Sequence, residues 1–319
     1  MKNIMNSSME KRVEEYIELK RNLGYSLKTT AGQLLCFARF ADENKHRGPL
    51  TTSLILRWAQ SSKNSSQLYR ARRVEIARIF ARFEAAFDPR TQIPPRRILG
   101  PAHRRIQPYI YSQKEITDLM TMAEKLTPLN GLRPRTYSTL IGLLASTGLR
   151  TSEALHLKRA EFEPEKGRMI IRETKFHKSR IVPINSSVSI SLNEYLHFRD
   201  SYHKSITSNC FLLSEQGREL LPSVVHYTFQ KLRRQVGFDE KSSERAPRLY
   251  DLRHTFACRV LQRWYTEDVD VNQRLPYLST YLGHVKPSDT YWYLSAVPEL
   301  MKIVQSKFDD NCIGYGGNV

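Results

Sequence analysis

The sequence has few cysteines and no long apolar run. The start, MKNIMNSSMEKR, lacks the apolar stretch of a signal peptide, and no apolar run elsewhere reaches the length of a membrane span. The four cysteines are far apart and form no CxxC pair, which argues against a zinc site or a disulfide framework. They are Cys36, Cys210, Cys258 and Cys312. We therefore expect a soluble, intracellular protein without membrane contacts.

Motifs of several cofactor-dependent and metal-dependent enzymes are absent too. There is no GxxxxGK[ST] phosphate loop, no GxSxG, no HExxH and no tight carboxylate cluster for catalytic magnesium. Acidic residues are also scarce, since 32 Asp and Glu stand against 50 Lys and Arg, a formal net charge of +18. Such an excess favours a polyanionic partner. Nucleic acid is the usual one, and an anionic membrane surface is the alternative.

The first third of the chain carries more than half of this excess charge. Residues 1–100 hold 19 Lys and Arg against 9 Asp and Glu, so the remaining 219 residues hold 31 against 23. A length of 319 residues, 40% of them hydrophobic, predicts two folded domains. We expect the first of these domains to contact DNA or RNA.

Apolar residues between Met9 and Phe87 recur at steps of three and four, which predicts four helices and no strand. The fourth, roughly Gln67–Phe87, sets apolar residues beside five arginines. Residues three and four apart share a helix face, so these side chains should form a cationic stripe that binds a phosphate backbone. The arginines are Arg70, Arg72, Arg73, Arg78 and Arg82. We place this helical DNA-binding domain at residues 1–88.

The next segment, residues 89–110, contains five prolines and several arginines, which predicts an extended basic linker. Residues 111–308 should form a second domain that is mixed but mostly helical. Its MIIRETKFHKSRIVPI (169–184) predicts a β-hairpin with a turn near residues 176–178. Residues 266–276 are interpreted as a loop insertion, and the tail 309–319 as flexible.

Several short stretches of the second domain place cations at predicted helix or strand junctions. STGLRTSEALHL (146–157) sets Arg150 where its planar fork can meet an oxyanion, or where it pairs with Glu153 on the surface. ETKFHKSRIVPI (173–184) clusters basic side chains at the hairpin, which by itself is also typical of a solvated turn. PRLYDLRHTFA (247–257) opens another helix, and YLGHVKPSDTYWYL (281–294) adds one histidine and several aromatic residues.

In this order, these motifs resemble the tyrosine recombinase (phage integrase) family, whose signature runs Arg, Lys, His-x-x-Arg, His or Trp, Tyr. The resemblance implies a mainly α fold with a small β-sheet or hairpin, built from an all-α, SAM-like core-binding domain and a catalytic domain. It assigns Arg150 and Arg253 to the two arginines, and Lys175 to the lysine three residues before K-x-R-x-V-P. It further assigns His284 and, nine residues later, Tyr293 as the nucleophile.

One position departs from the family pattern. Tyr250 stands where His-x-x-Arg has its histidine, and we keep it in the catalytic set because a phenol can donate a hydrogen bond to a phosphate oxygen. His254, after the second arginine, is interpreted as structural. Lys178 and Arg180 of the hairpin are predicted to contact DNA. Tyr291 is assigned to packing, since it lies about 200° from Tyr293 around a helix.

The resemblance implies a site-specific DNA recombinase of the integrase or transposase type, which works through a covalent 3′-phosphotyrosine and needs no cofactor or metal. Its partner would be double-stranded DNA with a specific recombination site. Its assembly would be a homo-tetramer, or a hetero-tetramer with related recombinases, to which residues 298–319 contribute. It would act in the cytoplasm on the nucleoid. Two alternatives stay open: a catalytically impaired DNA-binding accessory relative, and a type IB topoisomerase-like relaxing enzyme.

Overall fold

The computed structural model describes residues 8–62, 64–103, 107–172, 178–203, 208–238, 246–267 and 269–296. It divides the chain into two compact units, Met1–Ile106 and Gln107–Val319. The division falls inside the segment predicted as the linker. None of the helices among the described residues is both long and apolar enough to span a membrane.

Among the residues of the first unit that the structure describes there are four helices, as the apolar periodicity predicts. They are α1 (Met9–Asn22), α2 (Lys28–Glu43), α3 (Thr52–Gln60) and α4 (Gln67–Glu84). Thr51 caps α3 by accepting a hydrogen bond from the backbone N–H of Leu54 at 3.2 Å. The core combines aliphatic side chains with an edge-to-face pair of Phe37 and Trp58, whose ring centroids lie 5.1 Å apart.

The segment after α4 folds back onto this unit instead of extending away from it. Gln92 donates its backbone N–H to the carbonyl of Leu50 at 2.8 Å, and its side-chain oxygen accepts from the N–H of Thr52 at 2.9 Å. The carbonyl of Pro94 accepts from Nε of Arg78 at 2.8 Å. Prolines hold this segment extended, but its polar groups are paired with the helices beside it.

Eight α-helices and one small sheet build the described part of the second unit. The helices are α5 (Gln113–Glu124), α6 (Leu132–Thr147), α7 (Thr151–His156), α8 (Ser186–Tyr202), α9 (Pro222–Gln235), α10 (Asp251–Thr266), α11 (Val271–Leu282) and α12 (Ser288–Ala296). The strands are β1 (Phe162–Glu163), β2 (Arg168–Ile171) and β3 (Arg180–Pro183). The predicted fold class, mainly α with a small sheet, is confirmed.

The sheet is antiparallel in the order β1-β2-β3. Met169 pairs with Val182 and Ile171 with Arg180, so the predicted hairpin is present with one further short strand, which the sequence did not indicate. The turn was predicted near residues 176–178, and of these only residue 178 is among the described residues. Met169 and Val182 are both buried and fasten the hairpin to the main core of the unit.

Residues 266–276 are not a loop insertion, because α11 already begins at Val271 and contains Pro276. Asp270 caps this helix by accepting hydrogen bonds from the N–H groups of Asn272 and Gln273. Pro276, the sixth residue of α11, lacks the N–H that would bond to the carbonyl four residues earlier, and the helix continues past it. The interpretation as a loop insertion was wrong because the aspartate cap at Asp270 begins a helix inside this segment.

Candidate active site

The first predicted arginine lies at the junction of α6 and α7. Gly148 ends α6 in the left-handed conformation with a φ of +61°, and Arg150 immediately precedes α7. The backbone N–H of Arg150 donates to Oε2 of Glu153 at 2.9 Å, and its Nη2 donates to the carbonyl of Gly283 at 2.7 Å. This guanidinium is therefore held both by its own helix and by the end of α11.

The second predicted arginine, Arg253, lies in the first turn of α10 and is only 1% exposed. Its Nη1 donates to the carbonyl of Gly148 and its Nη2 to the carbonyl of Leu282, both at 2.7 Å. Burial lowers the pKa of this guanidinium, and the neighbouring Arg150 cation lowers it further. The carbonyls bind the cation without neutralising its charge, so its field can act on an incoming anion.

Arg180 departs from its prediction as a DNA contact at the hairpin tip. Its side chain is 11% exposed and lies inside the site, at the start of β3. Nη1 and Nη2 donate to the two carboxylate oxygens of Glu153 at 3.0 and 2.8 Å, and Nε donates to the carbonyl of Tyr281 at 2.7 Å. All three donor nitrogens are committed within the fold, which leaves this side chain to position the site.

Glu153 is the carboxylate that joins two of these arginines. Burial by itself raises the pKa of Glu153, but the hydrogen bonds and charge of Arg180, with those of Arg150, lower it to about 2. Glu153 is therefore ionised at neutral pH. It locks the two guanidinium groups in one geometry.

The three arginines converge on one short segment, which we call the arginine-bound turn: Tyr281, Leu282 and Gly283. Each of its carbonyls accepts a hydrogen bond from a different arginine. Gly283 has a φ of +67°, and a Cβ there would lie 2.8 Å from Nη1 of Arg180. Only glycine fits this position, because both the backbone conformation and the close approach exclude a side chain.

His284 follows the arginine-bound turn directly. Its Nδ1 lies 2.7 Å from Oγ1 of Thr290, a buried residue in the first turn of α12. Burial lowers the pKa of His284 to about 4, and the charges of Arg253 and Arg150 lower it in the same direction. The imidazole is thus neutral at pH 7. Thr290 fixes its orientation, a role that the sequence indicated only by placing a hydroxyl residue six positions after the histidine.

Tyr293, the predicted nucleophile, lies on α12 and is 2% exposed. Its ring stacks on that of His284 with a centroid distance of 6.2 Å. Burial raises the pKa of the phenol, whereas the charge of Arg253 acts to lower it. The structure brings this hydroxyl together with two of the predicted arginines and the histidine.

The neighbouring Tyr291 points away from this cluster and is 47% exposed. It does not pack in the core, so its assignment to packing was wrong, although its separation from Tyr293 follows the helical spacing. Trp292 lies between them and is half-buried, with its ring centroid 5.5 Å from that of His254.

Tyr250 lies just before α10 and is 38% exposed. Its ring meets His254, one helical turn later, edge to face at a centroid distance of 5.0 Å. His254 in turn contacts the predicted nucleophile, since its Nδ1 lies 3.2 Å from the hydroxyl of Tyr293. From the sequence we interpreted His254 as structural, and this contact with Tyr293 was not predicted.

The predicted lysine, Lys175, lies outside the described residues, so its place in the site stays a prediction. Lys178, predicted to contact DNA, is described and exposed just before β3. Strand β3 begins within the arginine cluster, because Arg180 is its first residue.

The predicted cationic stripe on α4 is only partly exposed. Arg73 is not part of an exposed stripe, since its side chain is 8% exposed and lies over the ring of Trp58 with Cζ 4.1 Å from the centroid. Its cation is used in packing. The other four members remain candidates for phosphate contacts: Arg72 and Arg82 are exposed, and Arg70 and Arg78 are half-buried.

Comparison with known proteins bears on this site. Residues 110–299 match the model of the phage integrase family. The chain belongs to this family. It is therefore an enzyme of the tyrosine recombinase type, a site-specific recombinase that breaks and rejoins DNA strands.

Two curated relatives from Sinorhizobium fredii cover nearly all of the chain. The putative integrase/recombinase y4rB is 42% identical over 93% of this chain and 95% of its own length. The putative integrase/recombinase y4rE is 32% identical over 93% of this chain and 94% of its own length. The family therefore extends over the first unit as well as the second.

Solved structures share the fold at low sequence identity. The Tn1549 transposon integrase, in complex with transposon right-end DNA, gives a TM-score of 0.67 at 15% identity over 94% of this chain and 99% of that chain. XerH recombinase bound to a palindromic difH substrate gives a TM-score of 0.65 at 18% identity, over 94% and 85% of the two chains. These likenesses support the architecture of both units.

Proposed function

We propose that this chain acts as an integrase or transposase on double-stranded DNA that carries a specific recombination site, with Tyr293 as its nucleophile. One observation carries the proposal: three arginines bind the turn that holds His284, directly before the helix bearing Tyr293. The charge of one of these arginines, Arg253, acts directly on the phenol of Tyr293.

Arg150 and Arg253 would bind the scissile phosphate. Negative charge accumulates on the non-bridging oxygens as the tyrosine attacks, and guanidinium groups remain charged while they donate paired hydrogen bonds. Both are held by backbone carbonyls before DNA arrives, so little reorganisation is needed during the reaction. His284, neutral at pH 7, would add a hydrogen bond to the same phosphate.

In the first step a bond forms between the phenolic oxygen of Tyr293 and phosphorus while the bond from phosphorus to the 5′-oxygen breaks. The 5′-oxygen takes a proton from Lys175, which the family resemblance assigns as general acid. The 3′-phosphotyrosine keeps the free energy of the broken ester. A 5′-hydroxyl of another strand then attacks it and reverses these bond changes.

We also propose that the active assembly contains four recombinase subunits, either of this chain alone or with related recombinases. Rejoining strands of two duplexes requires one nucleophile for each strand that is cut. A lambda integrase structure of similar fold, with a TM-score of 0.61, contains a tetramer bound to a Holliday junction. Mass measurement of this chain on its DNA site tests the proposal, because two or fewer subunits per pair of duplexes would contradict it.

The decisive experiment recovers covalent complexes from a randomised duplex library. Protein and DNA are mixed, denatured in detergent, and the retained DNA is sequenced. We expect the wild type to retain DNA that shares one sequence, Tyr293→Phe to retain none, and Tyr291→Phe to retain as much as the wild type. Retention by the Tyr293→Phe variant would show that the nucleophile is another residue.

Tyr250 favours a second candidate, a DNA-binding accessory relative that no longer cleaves. A phenol is a poor proton shuttle near neutral pH. This candidate predicts a site-specific footprint without strand breakage, and a function that Lys175→Ala leaves unchanged. Relaxation of supercoiled plasmid without any preferred site would instead indicate a topoisomerase-like activity.

A further inference from the structure

The hydroxyl of Tyr293 must lose its proton during strand cleavage, and it is buried. An unperturbed phenol has a pKa of about 10, so only about one in a thousand is ionised at pH 7. Burial raises the pKa of Tyr293 above that value. A group that accepts the proton as the bond to phosphorus forms would remove most of this cost.

His254 is placed to be that group. Its Nδ1 lies 3.2 Å from the hydroxyl of Tyr293, within hydrogen-bond distance. The ring is held on two further sides, by Tyr250 at 5.0 Å and by Trp292 at 5.5 Å between centroids. An imidazole confined in this way presents the same nitrogen to the phenol throughout.

Neighbouring groups are less suited to the task. His284 stacks on Tyr293 at 6.2 Å between centroids, and its Nδ1 already meets the hydroxyl of Thr290. The carboxylate of Glu153 is bonded to two arginines. The phenol of Tyr250 is a weak base, because its neutral oxygen accepts a proton only in strong acid.

We propose that His254 is a catalytic residue that accepts the proton of Tyr293 during cleavage and returns it during rejoining. The proposal rests on the function proposed above. As the oxygen of Tyr293 bonds to phosphorus, its proton moves to Nδ1 of His254, whose other nitrogen already carries one. The 5′-oxygen departs with a proton from the general acid. In rejoining, the tyrosine oxygen leaves phosphorus and regains the proton from His254.

The charges near Tyr293 and His254 favour a proton transfer that occurs while the oxygen of Tyr293 attacks phosphorus. Arg253 lies next to Tyr293 and stabilises negative charge on its oxygen. An incoming phosphate is an anion, and an anion nearby favours a proton on an imidazole.

The test uses His254→Asn, in which the side-chain oxygen replaces Nδ1 as a hydrogen-bond acceptor but cannot take the proton. His197→Asn is the matched control, because His197 is an exposed histidine on α8. On a duplex recovered from the covalent selection, we expect single-turnover formation of the adduct to slow by about 10²- to 10³-fold in His254→Asn. DNA affinity and thermal melting should match those of the wild type, and the control should retain the wild-type rate.

A second measurement separates loss of a base from loss of position. Fluorinated tyrosine at position 293 has a more acidic phenol and depends less on a base. In His254→Asn, we expect fluorination to raise the rate of adduct formation at least tenfold. In the wild-type background, we expect it to give no increase in that rate. A 5′-bridging phosphorothiolate, whose leaving group needs no acid, should not rescue His254→Asn.

The possible failures are distinguishable. If the wild type forms no adduct with any duplex, the proposed function fails and the role of His254 fails with it. If the adduct forms and requires Tyr293, but His254→Asn forms it at the wild-type rate, only the role of His254 is overturned. If His254→Asn does not fold, the test is the rate of adduct formation by the otherwise wild-type protein with fluorinated tyrosine at position 293. A rate that rises steeply with the acidity of the phenol would contradict an internal base.

Discussion

The two units of the chain use buried arginines in opposite ways. In the first unit, Arg12 forms an ion pair with Glu84, both side chains being almost fully buried, and Arg73 lies on the ring of Trp58. Each cation is satisfied by a partner inside the core. Glu84 offsets the charge of Arg12, and both side chains are buried where they hold helices together instead of facing a ligand.

In the second unit, three arginines lie around one buried carboxylate, Glu153, which bonds two of them, Arg150 and Arg180. The three side chains also make four hydrogen bonds to neutral carbonyls, those of the arginine-bound turn and of Gly148. Three cations against one anion leave an excess of two positive charges. A cation bonded to carbonyls keeps its field, so the second unit holds buried positive charge that no carboxylate of this cluster offsets.

The largest effect should come from breaking the neutral pair of the first unit. Arg12→Met leaves Glu84 buried without its partner, which typically costs about 3–5 kcal/mol. Urea unfolding of the whole protein should show the loss in the transition of the first unit. The double variant Arg12→Met with Glu84→Leu should regain most of it, and a double variant as unstable as the single would show that the pair is worth more than its apolar replacement.

A substitution in the arginine cluster of the second unit should have a smaller effect, and this effect should be on the rate of cleavage instead of on stability. Arg253→Gln keeps hydrogen-bond donors but removes the cation, and we expect adduct formation to fall by about 10²- to 10³-fold, equivalent to about 3–4 kcal/mol. Single-turnover cleavage measures it. Arg73→Gln is the matched control in the first unit, and an equal loss of cleavage there, at equal DNA occupancy, would erase the contrast between the units.

The arginine-bound turn offers a finer comparison between two glycines. Gly283 and Gly237 both have positive φ values, of +67° and +84°, so alanine strains either backbone by about 1–2 kcal/mol. A Cβ at 283 would also press on Arg180, whereas one at 237 meets nothing within 4 Å. We expect Gly283→Ala to slow cleavage by about tenfold relative to Gly237→Ala. Equal rates for the two variants would mean that the turn does not position the site.

The smallest effect concerns acid sensitivity. The pKa of His284 is lowered from 6.5 to about 4, so below pH 6.5 the unfolded chain binds a proton that the folded chain refuses. Its contribution to stability is therefore complete above pH 6.5 and declines as the pH falls towards 4. Urea midpoints at pH 7 and pH 5 should differ less in His284→Asn than in the wild type. A difference of the same size in both would contradict the lowered pKa.

Helix periodicity and ordered motifs predicted most of the architecture. The four helices of the first unit, the hairpin and the mostly helical second unit follow from local patterns of apolar residues and caps. The prediction failed at residues 266–276, which were interpreted as a loop insertion. Pro276 was interpreted as part of a loop, although the aspartate cap at Asp270 begins a helix that includes it.

Motif spacing also placed the main members of the site. The nine residues from His284 to Tyr293 follow from the family pattern, and the structure sets these two side chains in one cluster. The same reasoning could not assign Arg180 or Arg73, because the fate of an arginine depends on what lies opposite its side chain. Glu153, 27 residues before Arg180, and Trp58, 15 residues before Arg73, are partners that no local pattern reveals.

The sequence by itself determined the family and the order of its motifs, and it predicted Tyr293 as the nucleophile, since these depend on residue identity and spacing along the chain. Only the tertiary structure decided which arginines are offset by a carboxylate and which histidine meets Tyr293. Exposure, hydrogen-bond partners and pKa arise when segments distant in sequence pack together. The contact between His254 and Tyr293, 39 residues apart, exists only because α10 and α12 pack against each other in the fold.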